Sequence, residues 1–165
     1  MRKIIIGVMG PGTGASDGDR QNAYELGELI AQEGWVLLTG GRNTGVMEAA
    51  SSGAKAANGL TVGILPTDYN SGISDAVDIA IITGMGSARN NVNVLSSDVV
   101  IACGMGTGTA SEVALALKAN KPVVLLTNHQ EGQRFFSSLS AATVFIAKTP
   151  VAAIEIVKNL LTHRL

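Results

Sequence analysis

A chain of 165 residues with a formal net charge of -1 and a pI of about 6.1 has no basic surplus with which to displace counterions from nucleic acid. Hydrophobic residues make up 46% but aromatics only 4%, and there are 20 glycines; such a core has to be built from Val, Ile, Leu and Ala, the material of a parallel sheet covered on both faces. The one cysteine, Cys103, excludes an intramolecular disulfide, and no window approaches the ~18 apolar residues of a membrane-crossing helix.

The length suits one domain, residues 1–165. Met1–Gly7 holds an apolar run too short for a signal peptide and lacks a small-residue cleavage site, so the expected compartment is the cytosol. A mean hydropathy of +0.30 predicts that a helical face is buried against a second subunit.

Lys3–Met9 is β-branched and continuously apolar, as a central parallel strand should be. The turn Gly10-Pro11-Gly12-Thr13-Gly14 leads to a helix over Asp17–Glu33, with Ala23, Leu26, Leu29 and Ile30 on one face and Gly34 as its stop. Trp35–Thr39 is a strand, Gly40-Gly41-Arg42-Asn43-Thr44-Gly45 a second glycine turn, and Val46–Ala57 a helix ended by Asn58-Gly59. Leu60–Leu65 is a strand, and the polar stretch Pro66–Ala76 is the longest loop. Ile79–Ile82 is a short strand, followed by the turn Thr83–Gly86 and a helix over Ser87–Ser96. Asp98–Cys103 is a strand, Gly104-Met105-Gly106-Thr107-Gly108 a third glycine turn, and Thr109–Ala119 a helix. The remainder reads as strand Pro122–Leu126, helix Glu131–Leu139, strand Thr143–Ile146 and a last helix to Leu161, with Thr149 as N-cap and Pro150 at its first position. The alternation predicts an α/β fold with a doubly wound, mostly parallel, Rossmann-like sheet and helices on both faces.

Ligands of such sheets bind beyond the carboxyl ends of the strands, where all three glycine turns fall. Glycine admits close backbone approach, and the following helix offers unpaired N–H groups and a positive dipole end, so the expected ligand carries a phosphate. Gly10, Gly12, Gly40, Gly41, Gly45, Gly106, Thr107, Gly108 and Thr109 are therefore candidate binding residues, together with Ser87. Arg42 and Arg89 each follow a glycine-containing turn and could form bidentate pairs with an oxyanion.

Gly10–Ala15 fits the dinucleotide fingerprint, but the second strand ends in Thr39-Gly40-Gly41 with no acidic residue for a ribose. No Gly-Lys-Ser/Thr occurs, which excludes a Walker site. Thr109-Ala110-Ser111-Glu112 reads either as a capping box or as the placement of a functional carboxylate. Cys103 reads as a buried thiol. His129 and His163 have no partner at a metal-ligand spacing, and no metal site is expected.

Two of these segments resemble a known superfamily. Thr39–Met47 and Gly106–Glu112 are similar to signature motifs of the Lonely Guy phosphoribohydrolases, the possible lysine decarboxylases, which have a Rossmann-like fold. Arg42 stands where that pattern has a third glycine, and Gly104-Met105 where it has Pro-Gly. The resemblance places Arg89 and Glu112 where those enzymes keep their catalytic arginine and glutamate, with Asn90 in place of a lysine.

A resemblance to the molybdenum cofactor carrier proteins of algae and cyanobacteria covers essentially the whole chain. It runs through Ile6–Gly12, Gly34–Arg42, Ile73–Ile79, Gly86–Asn91 and Glu112–Ala119. It implies a homotetramer that binds the molybdenum cofactor (molybdopterin-type, phosphate-bearing) as cargo, protects it and passes it to an acceptor molybdoenzyme. The alternatives are a nucleoside 5'-monophosphate phosphoribohydrolase working through Arg89 and Glu112, and a noncatalytic sensor of a nucleotide-like ligand. The lack of a clear nucleophile–base pair in the sequence agrees with storage better than with turnover.

Overall fold

A computed structural model of the chain describes residues 2–162. Its strands are β1 (Ile5–Met9), β2 (Val36–Thr39), β3 (Leu60–Leu65), β4 (Ile79–Ile82), β5 (Val99–Cys103), β6 (Val123–Leu126) and β7 (Val144–Ile146). Its helices are α1 (Asp17–Gln32), α2 (Gly45–Ala56), α3 (Arg89–Ser96), α4 (Thr107–Lys118), α5 (Gln130–Leu139) and α6 (Pro150–Thr162). The strands form one seven-stranded sheet in the order β4-β3-β2-β1-β5-β6-β7, and every pairing is parallel. The order reverses between β1 and β5, which opens the crevice where doubly wound sheets hold ligands.

The strands alternate faces with period two, and both faces are apolar. Ile6, Val8, Leu37, Val99, Ile101 and Val124 pack on one side against α1, α2 and α6. Met9, Leu38, Ile64, Val100, Ala102 and Leu125 pack on the other against Val94 of α3, Val113 and Ala116 of α4 and Phe136 of α5.

β4 starts at Ile79, as its apolar run suggests, and β5 at Val99, one residue after Asp98; the aspartate ahead of each is used as an acceptor. Asp98 Oδ2 accepts from the Ile5 N–H at 2.9 Å, and Asp78 Oδ2 from the Thr61 N–H at 3.0 Å. Asp78 is also paired with Lys55, and that ammonium, ahead of the opposing effect of burial, holds its carboxyl below the usual carboxylate range.

The long loop after β3 crosses to β4 without a helix. It turns back instead on the Gly40–Gly45 turn: the Ser74 N–H donates to Gly41 O and the Asn43 N–H to Gly72 O. With no helix of its own, β4 leaves Ile79, Ile81 and Ile82 exposed. No helix among the described residues is long and apolar enough to cross a membrane.

Candidate functional site

A cleft of about 390 Å³ lies over the carboxyl ends of β1, β2 and β5. Gly10, Gly12, Gly40, Arg42, Arg89, Gly106, Thr107, Gly108, Thr109 and Glu112, all read from the sequence, line it. Gly41, Gly45 and Ser87 do not. Gly41 packs beneath the turn against Leu65 and Gly63. Gly45 opens α2 at φ +57, and a Cβ there would meet Gly12 O at 2.1 Å; only glycine lets the first two turns come together. Ser87 is exposed in a 3-10 turn over Gly86–Ala88.

The three helices that follow the glycine turns differ at their N-termini. α1 is closed on itself, with Ser16 Oγ accepting from the Asp19 N–H and Asp19 Oδ2 accepting from the Ser16 N–H. Two of its donors are taken, and Asp17 and Asp19 oppose an anion there. α2 and α4 have no side-chain cap. Thr44 and Met47 at the start of α2, and Gly106–Thr109 at the start of α4, line the cleft. Two N-termini without side-chain caps thus bring their dipole ends to one space, although at α2 the Val46 N–H is already taken by Pro11 O.

The capping-box reading of Thr109–Glu112 is corrected by the start of α4. The helix begins at Thr107 with Gly106 as N-cap, so Glu112 lies well inside the first two turns. It closes no cap. Its side chain is 7% exposed, lines the cleft, and takes a hydrogen bond at Oε1 from Asn93 Nδ2 at 2.9 Å. Burial raises its pKa, against the opposing effects of that hydrogen bond and of Arg89.

Arg89 is 9% exposed, and one end of its guanidinium is engaged by the backbone while its Nε has no hydrogen-bond partner. Its Nη1 donates to Gly40 O at 2.7 Å and Ile64 O at 2.6 Å, tying together the ends of β2 and β3. Gly40 has to be glycine for this, since a Cβ there would lie 2.2 Å from Nη1. Burial lowers the Arg89 pKa, Glu112 opposes that, and Arg42 adds to it. Arg42, by contrast, is exposed and lines the cleft with no hydrogen bond or ion pair from its guanidinium among the described residues.

Sequence reasoning missed Asn93, Thr44 and Met47. The Arg89-x-x-x-Asn93 spacing, one helical turn, was the signal that could have found Asn93. Asn90, in the lysine position of the Lonely Guy pattern, donates from Nδ2 to Ser111 Oγ at 2.9 Å. His129 caps α5, its Nδ1 accepting from the Gly132 N–H; His163 lies outside the described residues. Among the described residues no group of three or more His, Cys, Asp or Glu is placed to hold a metal ion.

The raised Glu112 pKa has a consequence for stability. The folded state holds this proton more tightly than the unfolded chain, where the carboxyl titrates near 4.5. Stability from this group therefore falls as pH rises from about 4.5 through the folded value. Glu112→Gln is expected to be more stable than wild type at pH 7–8, and indistinguishable from it below about pH 4. Thermal unfolding across that range checks this, and a Gln variant less stable at neutral pH would contradict it.

Residues 3–154 match the model of the SLOG cluster4 family. The molybdenum cofactor binding protein of the phototrophic bacterium Rippkaea orientalis is 64% identical, with a TM-score of 0.96 over 98% of this chain and 99% of that one. The Moco carrier protein of Chlamydomonas reinhardtii is 57% identical, with a TM-score of 0.92 over 98% and 99% of the two chains. A cytokinin riboside 5'-monophosphate phosphoribohydrolase of Mycobacterium tuberculosis is 29% identical over 147 residues, 83% of this chain and 79% of the enzyme. With its likeness to the carriers running from end to end and its likeness to the hydrolase distant, the chain belongs to the SLOG cluster4 family and to the molybdenum cofactor carrier proteins.

Proposed function

We propose that this chain, as one domain over residues 1–165, binds the molybdenum cofactor as cargo, shields it and releases it to an acceptor enzyme in the cytosol. The observation that carries this reading is the convergence of two uncapped helix N-termini and an unpaired arginine on one cleft. Its volume, about 390 Å³, falls in the ~300–1,000 Å³ range of small-molecule sites. The phosphate of the cargo fits the N–H groups of Gly106–Thr109, with the Arg42 guanidinium as its counter-charge. The pterin and its dithiolene-held metal then extend between the turns, screened from bulk water.

Carriage is favoured over hydrolysis by what stands at the enzymes' arginine and lysine positions. The terminal Nη1 of Arg89 is committed to two backbone carbonyls, and Asn90 holds Ser111 in place of a lysine near the ligand. Exposed Ile79, Ile81 and Ile82 on β4, with Phe135 and Leu139 on α5, supply apolar surface for the homotetramer the family suggests.

Anaerobic equilibrium binding of the cofactor, with its lifetime in air measured in parallel, tests the reading. Wild type should bind and prolong that lifetime, and should release no free base from AMP or other purine nucleoside monophosphates. Rapid base release would favour the phosphoribohydrolase. Arg42→Ala is expected to weaken cofactor binding about tenfold, the scale of one charge-assisted hydrogen bond. It should also reduce the salt dependence of binding, since part of that attraction is Coulombic. An unchanged affinity and salt slope would place the phosphate away from Arg42.

A further inference from the structure

A carboxylate is an odd lining for a cleft that receives an anion, and Glu112 is not explained by the phosphate. It lies five residues beyond Thr107 on α4, so about 7.5 Å deeper along the helix axis at ~1.5 Å per residue. The same helix therefore offers N–H donors at its start and an acceptor a turn and a half further in. Oε1 is pinned by Asn93, which is itself fully buried. Oε2 receives no hydrogen bond among the described residues. Arg89 makes no ion pair with it, and its Nη1 donates to Gly40 O and Ile64 O instead. A buried carboxylate is costly unless donors meet it, and the protein leaves one side of this one for something in the cleft.

The cargo has the matching chemistry. A pterin ends in a 2-amino-4-oxopyrimidine edge, where the ring N3–H and the exocyclic 2-amino group present two adjacent donors. A carboxylate satisfies such a pair, whereas a carbonyl at position 2 would face it with a second acceptor. We propose that Glu112, positioned by Asn93, is the specificity residue that reads this edge, so that the cleft selects 2-aminopterins over ligands that share only their phosphate. The assignment rests on the carrier reading of the same cleft.

Anaerobic equilibrium binding with three probes tests it: the molybdenum cofactor, a 6-alkylpterin carrying a terminal phosphate, and the matched lumazine phosphate with a carbonyl in place of the 2-amino group. Wild type should bind the cofactor and prefer the pterin phosphate over the lumazine phosphate by between about tenfold and a hundredfold. In Glu112→Gln the preference should fall within roughly threefold, with lumazine affinity retained and cooperative thermal unfolding preserved. Glu112→Asp, which keeps the charge but withdraws it by one methylene, is the second variant and should also lose the preference. A wild type that binds the cofactor without discriminating pterin from lumazine would overturn this assignment and leave the carrier reading standing. Equal loss of both analogues in Glu112→Gln would reduce Glu112 to a structural role. Failure of wild type to bind the cofactor at all would overturn the carrier reading, and this assignment with it.

Discussion

Gly27→Ala and Gly53→Ala are each expected to destabilise the protein by about 2–3 kcal/mol, although the same change on an exposed helix would stabilise it by roughly 0.5–1 kcal/mol. Both glycines lie inside helices, Gly27 in α1 and Gly53 in α2. A Cβ on Gly27 would sit 2.1 Å from Ala50 O, and one on Gly53 would sit 2.0 Å from Tyr24 O. The obstacles are backbone atoms of the facing helix, so no rotamer change relieves them. The helices would have to move apart, loosening Leu26, Ala50 and Ala54 in the core between them. For a chain of this size the loss should appear as a fall of roughly 5–10 °C in thermal midpoint. The double variant should cost less than the sum, because helices already spread accept the second methyl more easily. A raised midpoint in either single variant would mean that α1 and α2 are not in backbone contact.

Arg89→Ala is the second large effect, and it should fall on the fold before it falls on the ligand. Removing this guanidinium strips the donor from two buried carbonyls, Gly40 O and Ile64 O. It also removes the positive charge beside the Glu112 carboxyl. An unsatisfied buried acceptor costs about 1–3 kcal/mol, so a total loss of about 3 kcal/mol or more is expected in urea unfolding. Combining it with Glu112→Gln should recover part of the loss, since the uncompensated carboxylate is then gone. Arg42→Ala, at an exposed residue of the same cleft, should change stability by less than about 0.5 kcal/mol. If Arg89→Ala proved as mild as Arg42→Ala, the arginine would not be holding β2 to β3.

How far the sequence could be read follows from which interactions are local. The strands are Val, Ile and Leu runs between glycine and polar breaks, and their existence, order and parallel pairing follow from that pattern. The start of β5 moved to Val99 where Asp98 acts as an acceptor for a neighbouring strand, a long-range use invisible in a window of residues. The start of α4 was misplaced by two residues because Ser/Thr-x-x-Glu is a strong local signal, whereas Gly106 as N-cap is a weak one. The true capping box, Ser16 to Asp19, uses aspartate at the third position and so escaped that pattern. The glycine turns were legible as the floor of a site, but which of them offers donors was not. That depended on α1 capping itself while α2 and α4 stay open. Arg89 was legible as a residue that matters, but its role was set by Gly40 and Ile64, 49 and 25 residues away in sequence.

The burial of Cys103 bears on the chemical silence of the container. Its thiol is fully buried at the end of β5, with Sγ donating to Asp19 O at 3.4 Å. Burial, with a smaller contribution from Asp19, pushes its pKa up to about 12, so almost no thiolate is present at neutral pH. It is the one cysteine of the chain. The proposed cargo, whose metal hangs on two sulfurs, would be vulnerable to any competing thiolate, which could enter the metal's ligand set or trade sulfur with it. Cys103 does not line the cleft, so the cleft wall offers none. Iodoacetamide should accordingly label native protein no faster than it unfolds; prompt labelling of the folded chain would show that the thiol is within reach.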